Sequence, residues 1–104
     1  MTDDINTKLE DLNIQLDEAN TPAGSYVPYV ISNNLVFISG QLPFINGQLT
    51  IKGKVGDNVS LEDGIEMAEA CAKALLSQLK SACNGNLNKV KRVVKLGGLS
   101  LIHI

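Results

Sequence analysis

The 104-residue chain has no tryptophan, one histidine, two cysteines and only 4% aromatic residues. Each scarcity closes a class of chemistry. With His103 as the sole histidine and no C-x-x-C pair, no metal-ligand pattern can be assembled. Nor can a nucleophilic triad, because that histidine is the penultimate residue and both cysteines fall in or at the end of one predicted helix. There is no G-x-G-x-x-G, no Walker loop and no H-E-x-x-H, so no cofactor is expected. The longest apolar runs stay far below the 18 residues of a membrane span, and Met-Thr-Asp-Asp-Ile is acidic where a secretory signal is basic. The expected compartment is the cytoplasm, with no membrane partner.

Cys71 and Cys83 lie twelve positions apart, which on a helix is roughly 18 Å along the axis. A disulfide needs Cα atoms within about 7 Å, so they read as small apolar residues of a reduced protein.

What is present is a 44% apolar, 19% charged chain of net charge −2, the balance of one small soluble globular domain over residues 1–104. A domain of this length buries roughly 60–70% of its unfolded surface and has little slack. Charge is uneven. Residues 1–20 carry six acids against Lys8, a balance of −5, while 84–104 carry Lys89, Lys91, Arg92 and Lys95 with no acid, a balance of +4. A sequence pI of about 5.2, with no aromatic residue among these cations, makes nucleic acid an unlikely partner. A charged strand edge or the rim of an anionic pocket suits the basic segment better.

Ile5, Leu9 and Leu12 follow i, i+4, i+7 spacing behind Thr2, Asp3 and Asp4, predicting a short amphipathic helix on the outside of the domain. Asn20 to Ser25, with Pro22 and Gly24, reads as a loop. The β-rich runs 26–32 and 35–39 flank Asn33-Asn34, a hairpin turn, and Pro28 confines the first strand to an edge or a later start. Asn46-Gly47 predicts another turn, Gln48 to Lys54 a weaker extended stretch, and Gly53, Gly56 and Asp57 a loop.

Ser60-Leu61-Glu62-Asp63 resembles a capping box and opens a long helix ending at Asn84-Gly85. Its stripe of Leu61, Ile65, Ala68, Ala72, Leu75, Leu76, Leu79 and Ala82 is expected to pack on a sheet. Gly64 near its start costs roughly 1 kcal/mol of helix stability against alanine. Lys89 to Leu96 is the last strand candidate. The order of elements predicts an α+β fold with a sheet covered by the long helix.

Two places could carry chemistry. Ser39-Gly40 closes an apolar strand, where glycine admits a ligand to the backbone and the hydroxyl can donate to a carboxylate; a β-bulge explains the glycine equally well. The Tyr26 and Tyr29 phenols could line a pocket or simply pack. Residues alone leave the catalytic group unknown.

The run Pro22-Ala23-Gly24-Ser25-Tyr26 through Asn33-Asn34-Leu35-Val36-Phe37-Ile38-Ser39-Gly40-Gln41-Leu42-Pro43, then Gly53-Lys54-Val55-Gly56 and Val90 to Leu96, resembles the YjgF/RidA family, also labelled endoribonuclease L-PSP. It is most similar to the branch with an extra N-terminal segment, over about residues 5–98. The resemblance implies a chorismate-mutase-like fold and a homotrimer with pockets between subunits. It also implies an enzyme, a hydrolase of the enamine/imine deaminase type, converting 2-aminoacrylate-like carboxylates to keto acid and ammonia. A trimeric metabolite-binding or regulatory protein is the alternative, and ribonuclease or translation inhibition a third reading, for which no acid/base pair is visible.

On this resemblance Tyr26, Ser39 and Gly40 match substrate-binding positions. The family arginine that grips the substrate carboxylate lies beyond the segment matching Val90 to Leu96, and Arg92 does not match it. The resemblance therefore implies that the C-terminal part of the fold is missing here, and that residues 99–104 are a non-native tail. Marginal stability and aggregation are the expected consequences.

Overall fold

The structure, a computed structural model, describes residues 4–19, 24–45, 48–49 and 53–98. The expected Asn46-Gly47 turn, the residues at 99–104, Thr2 and Asp3, and parts of the Asn20–Ser25 loop and the Gln48–Lys54 stretch lie outside them.

Ile5–Asp11 forms helix α1, whose N-cap Asp4 accepts a hydrogen bond from the Thr7 amide. Its first amides also point at a distant acceptor, with Ile5 N and Asn6 N donating to Asn88 Oδ1 at 2.9 and 3.2 Å. A seven-residue helix is too short to persist alone. Contact with the segment around Asn88 holds it to the body.

Tyr29–Ser32 (β1) and Leu35–Ile38 (β2) pair antiparallel through the Asn33-Asn34 turn, with Tyr29 opposite Ile38 and Ser32 opposite Leu35. Asn33 takes φ 53, a left-handed value asparagine tolerates. The ladder begins after Pro28, which has no amide to donate, while its carbonyl accepts from Ser39 N at 3.0 Å. Alternation places Tyr29, Ile31, Val36 and Ile38 on one face and Val30, Ser32, Leu35 and Phe37 on the other. Helix α2, Leu61–Ala82, packs across the first face.

Ser60 caps α2, accepting from Asp63 N at 3.1 Å. The helix ends where Asn84 and Gly85 adopt φ 56 and 90, with Gly85 N donating to Lys80 O at 2.8 Å. The side of α2 turned to the body differs from the expected stripe. Gly64, Met67, Cys71, Ala74 and Gln78 face inward, and Gln78 is 2% exposed, whereas Leu61, Ile65, Ala68 and Ala72 lie in the open. Close approach decides this: a Cβ on Gly64 would stand 3.1 Å from Val55 Cγ2, so only the glycine side admits the 53–59 loop. That loop is closed by Val59 N and Asp57 N donating to Lys54 O, and it buries Val59.

Residues 89–96 do not form the expected strand. A 3-10 turn at Leu87–Lys89 is capped by Asn86, Leu87 is buried at 1% exposure, and 91–98 run out exposed. The cations explain the difference, since Lys91 and Lys95 sit on one face and Arg92 on the other, so no register buries a wholly apolar face. Among the described residues the sheet has two strands, and the α+β architecture with a covering helix stands.

Candidate functional site

The hairpin's open end gathers the residues that the sequence singled out. Ser39 follows β2, and its hydroxyl donates to Val27 O at 2.6 Å across the hairpin. That bond ties the strand end to the backbone beside Tyr26, a residue 47% exposed. Gly24 lies against the same ring, since a Cβ there would stand 3.1 Å from Tyr26 Cε1. Gly40 is open, with no atom within 4 Å of the place its Cβ would take. Tyr26, Ser39 and Gly40 thus share one end of the hairpin.

Tyr29 is drawn elsewhere. Its hydroxyl lies 3.4 Å from Ser81 Oγ, so it serves packing between β1 and the C-terminal half of α2. Arg92 belongs to the exposed 91–98 segment.

Gln41, two residues past Ser39, also shapes this end of the hairpin. Gln41 Nε2 donates to Ser39 O at 2.9 Å, and Gln41 O accepts from Cys71 Sγ at 3.5 Å. These bonds fix the curve of the chain after β2 against α2. The signal that could have found it is adjacency, because an amide two residues past a strand end can reach back to the carbonyl that the strand leaves free. Burial pushes the Cys71 thiol above its ordinary pKa, which keeps it protonated as a donor.

A separate shallow groove runs between α1, residues 14–16 and the C-terminal end of α2, lined by Leu9, Glu10, Ile14, Leu16 and Lys80. None of Tyr26, Ser39 and Gly40 lines it.

The hairpin end can therefore admit a small ligand to the backbone at Gly40, beside one phenol and one hydroxyl. Ser39's proton is already donated to Val27 O, leaving its oxygen to accept.

Known proteins resemble this chain in sequence and in fold. Residues 6–104 match the model of a family described as YjgF/chorismate mutase-like, candidate endoribonucleases. Protein TCP17 of Trypanosoma cruzi is 39% identical over 88 residues, covering 85% of this chain and 54% of that protein. The crystal structure of Atu1372 from Agrobacterium tumefaciens, a protein of unknown function, superposes with a TM-score of 0.72 at 40% identity, over 84% of this chain and 52% of that one. A candidate endoribonuclease from Shewanella oneidensis gives 0.69 at 28% identity, over 76% and 52%. The chain spans about half the length of these relatives.

Proposed function

The chain belongs to the YjgF/chorismate mutase-like family, and from that premise we propose that it forms one wall of an enamine/imine deaminase pocket. The substrate class is a small carboxylate of the 2-aminoacrylate type, hydrolysed to keto acid and ammonia. The observation that supports this reading is the joint placement of Tyr26, Ser39 and an open Gly40 at one end of the hairpin. In such a site Gly40 gives the substrate room against the backbone, the Tyr26 phenol donates a hydrogen bond to it, and the Ser39 oxygen accepts a hydrogen bond from the attacking water and so orients it, the water's protons passing to the departing nitrogen. Water adds to the imine carbon and ammonia leaves as the carbonyl forms. The chain's one arginine, Arg92, lies outside this cluster in the exposed segment, so the Tyr26, Ser39 and Gly40 wall does not itself supply a guanidinium to the carboxylate. We extend the proposal to a cytoplasmic homotrimer, in which the exposed sheet face carrying Val30, Leu35 and Phe37 is covered by neighbouring copies.

A metabolite-binding role without catalysis is favoured by one specific feature, the commitment of the Ser39 proton to Val27 O. A single assay separates the two. Freshly generated 2-aminoacrylate is supplied to the purified chain and to its Tyr26→Phe and Ser39→Ala variants, and keto acid and ammonia are measured. The deaminase reading expects release above the buffer rate, reduced about tenfold or more in the variants. Release at the buffer rate with saturable binding of a keto acid would establish the binding role instead.

A further inference from the structure

Helix α2 carries a second apolar stripe that its packing on the sheet does not use. Leu61, Ile65, Ala68, Ala72, Leu75, Leu76 and Leu79 occupy an arc centred about 100° around the axis from the inward side of Gly64, Cys71 and Gln78. Its N-terminal half is bare, with Leu61 66% and Ile65 52% exposed, while Leu75, Leu76 and Leu79 are half-buried. Along the flank of the stripe remote from the sheet run Glu62, Glu69, Lys73 and Lys80, all exposed.

The order of these residues is palindromic. Reading outward from the middle of the helix, Ala68 mirrors Ala72, Ile65 mirrors Leu75, and Leu61 mirrors Leu79. The flank has the same symmetry with the sign of charge reversed, since Glu69 mirrors Lys73 and Glu62 mirrors Lys80. Both mirror points fall within about one residue of each other, near Ala70 and Cys71. A two-fold axis perpendicular to a helix brings residue i against residue j of the second copy and j against i. It also keeps a flank on the same side in both helices. One antiparallel register therefore sets alanine against alanine at the crossing, where small side chains let the axes approach, and apolar branched residues against each other on both sides. In that same register each acid of the flank meets a lysine.

We propose that this stripe is a self-recognition seam, pairing α2 antiparallel with α2 of a second copy of this chain. The occupant is argued from charge. A parallel neighbour would set this charged flank against the uncharged Gly64, Cys71 and Gln78 side of the other helix and leave the four charges unmatched, whereas the antiparallel copy sets each acid against a lysine. The seam lies on the helix side of the domain, away from the sheet face assigned above to the trimer. Its success or failure is independent of the deaminase reading.

Two single-sign variants test it, Glu62→Lys with Glu69→Lys and Lys73→Glu with Lys80→Glu. All four positions are exposed, and circular dichroism confirms that the helix is retained. Sedimentation equilibrium at low salt is expected to show each variant at half the wild-type mass, whatever the sheet face contributes. An equimolar mixture should return to the wild-type mass, with association tightened roughly tenfold or more over either variant alone. The fourfold charge swap restores complementarity and should associate like the wild type. An unchanged mass in the single-sign variants, or a mixture that stays at half mass, overturns the seam, as does a wild type whose stripe is covered by another segment and whose mass ignores these charges.

Discussion

Gly53 holds φ 142, a left-handed value, and the place of its missing Cβ is taken by the Asn58 side chain, which also accepts from Lys54 N at 2.8 Å. Gly53→Ala would meet both a disfavoured backbone and a filled space, so a loss of about 2–4 kcal/mol in urea unfolding is expected. A loss below 0.5 kcal/mol would show that the 53–59 loop rearranges freely. Cys71 gives a second prediction at this scale. Its thiol donates to Gln41 O and its pKa is raised by burial, so iodoacetamide at pH 8 should label it several-fold more slowly than Cys83. Because the folded pKa lies above the unfolded one, its contribution to stability is complete at neutral pH and falls as pH rises through the folded pKa. Equal labelling of the two cysteines would remove the Gln41 contact. Among single residues, the sequence marked Tyr26, Ser39 and Gly40, and the structure brings them to one hairpin end. It could not show that the Ser39 proton was taken, because Val27 lies twelve positions away across a turn.

Elements were legible where their signals are local. The capping pair Ser60 and Asp63, the Asn33-Asn34 turn and the Asn84-Gly85 stop each lie within a few residues of what they terminate, and each is found. The strand expected at 89–96 is absent because a strand needs a partner, and alternation states only which side chains share a face. Helix α1 depends on a partner in the same way. Asn88→Ala removes the acceptor of Ile5 N and Asn6 N and should cost about 1 kcal/mol of helix docking, read by hydrogen exchange at α1 amides. The Asp4 carboxyl sits below its ordinary pKa, first through its side-chain bond with Thr7 and in smaller part through Asn88. Its contribution is present above the unfolded carboxylate pKa and is lost as pH falls through the lower folded value. Exchange at α1 should accordingly quicken, relative to the rest of the chain, as pH falls through the carboxylate range. A uniform response along the chain would contradict this.

At the scale of the molecule, the accessible surface is 8267 Å², against roughly 5,700 Å² for a compact monomer of 11.1 kDa. The radius of gyration of 14.9 Å likewise exceeds the roughly 13 Å of a compact chain this long. Val59 and Leu87 are the buried apolar residues among those described, while Val30, Phe37, Leu61 and Val93 all stand more than half exposed. Surface of this kind is stabilised by covering it. Val30→Glu with Phe37→Glu, on the sheet face turned from α2, should therefore lower the assembled mass in light scattering while leaving far-UV circular dichroism intact. A wild type that is already monomeric at high concentration would refute the trimer.

The sequence by itself determined the class of fold, the family, the positions of both helices and the hairpin, and the glycine and serine at its open end. The family rests on the resemblance of whole runs of sequence, and the others on spacing, caps and turns within one helical turn or one loop. Tertiary structure alone decided which side of α2 meets the sheet. Hydrophobicity favours the leucine stripe, but packing a loop against a helix is governed by how near two backbones can come. Gly64, Cys71 and Ala74 allow the closer approach, so they turn inward and leave the leucines for another partner.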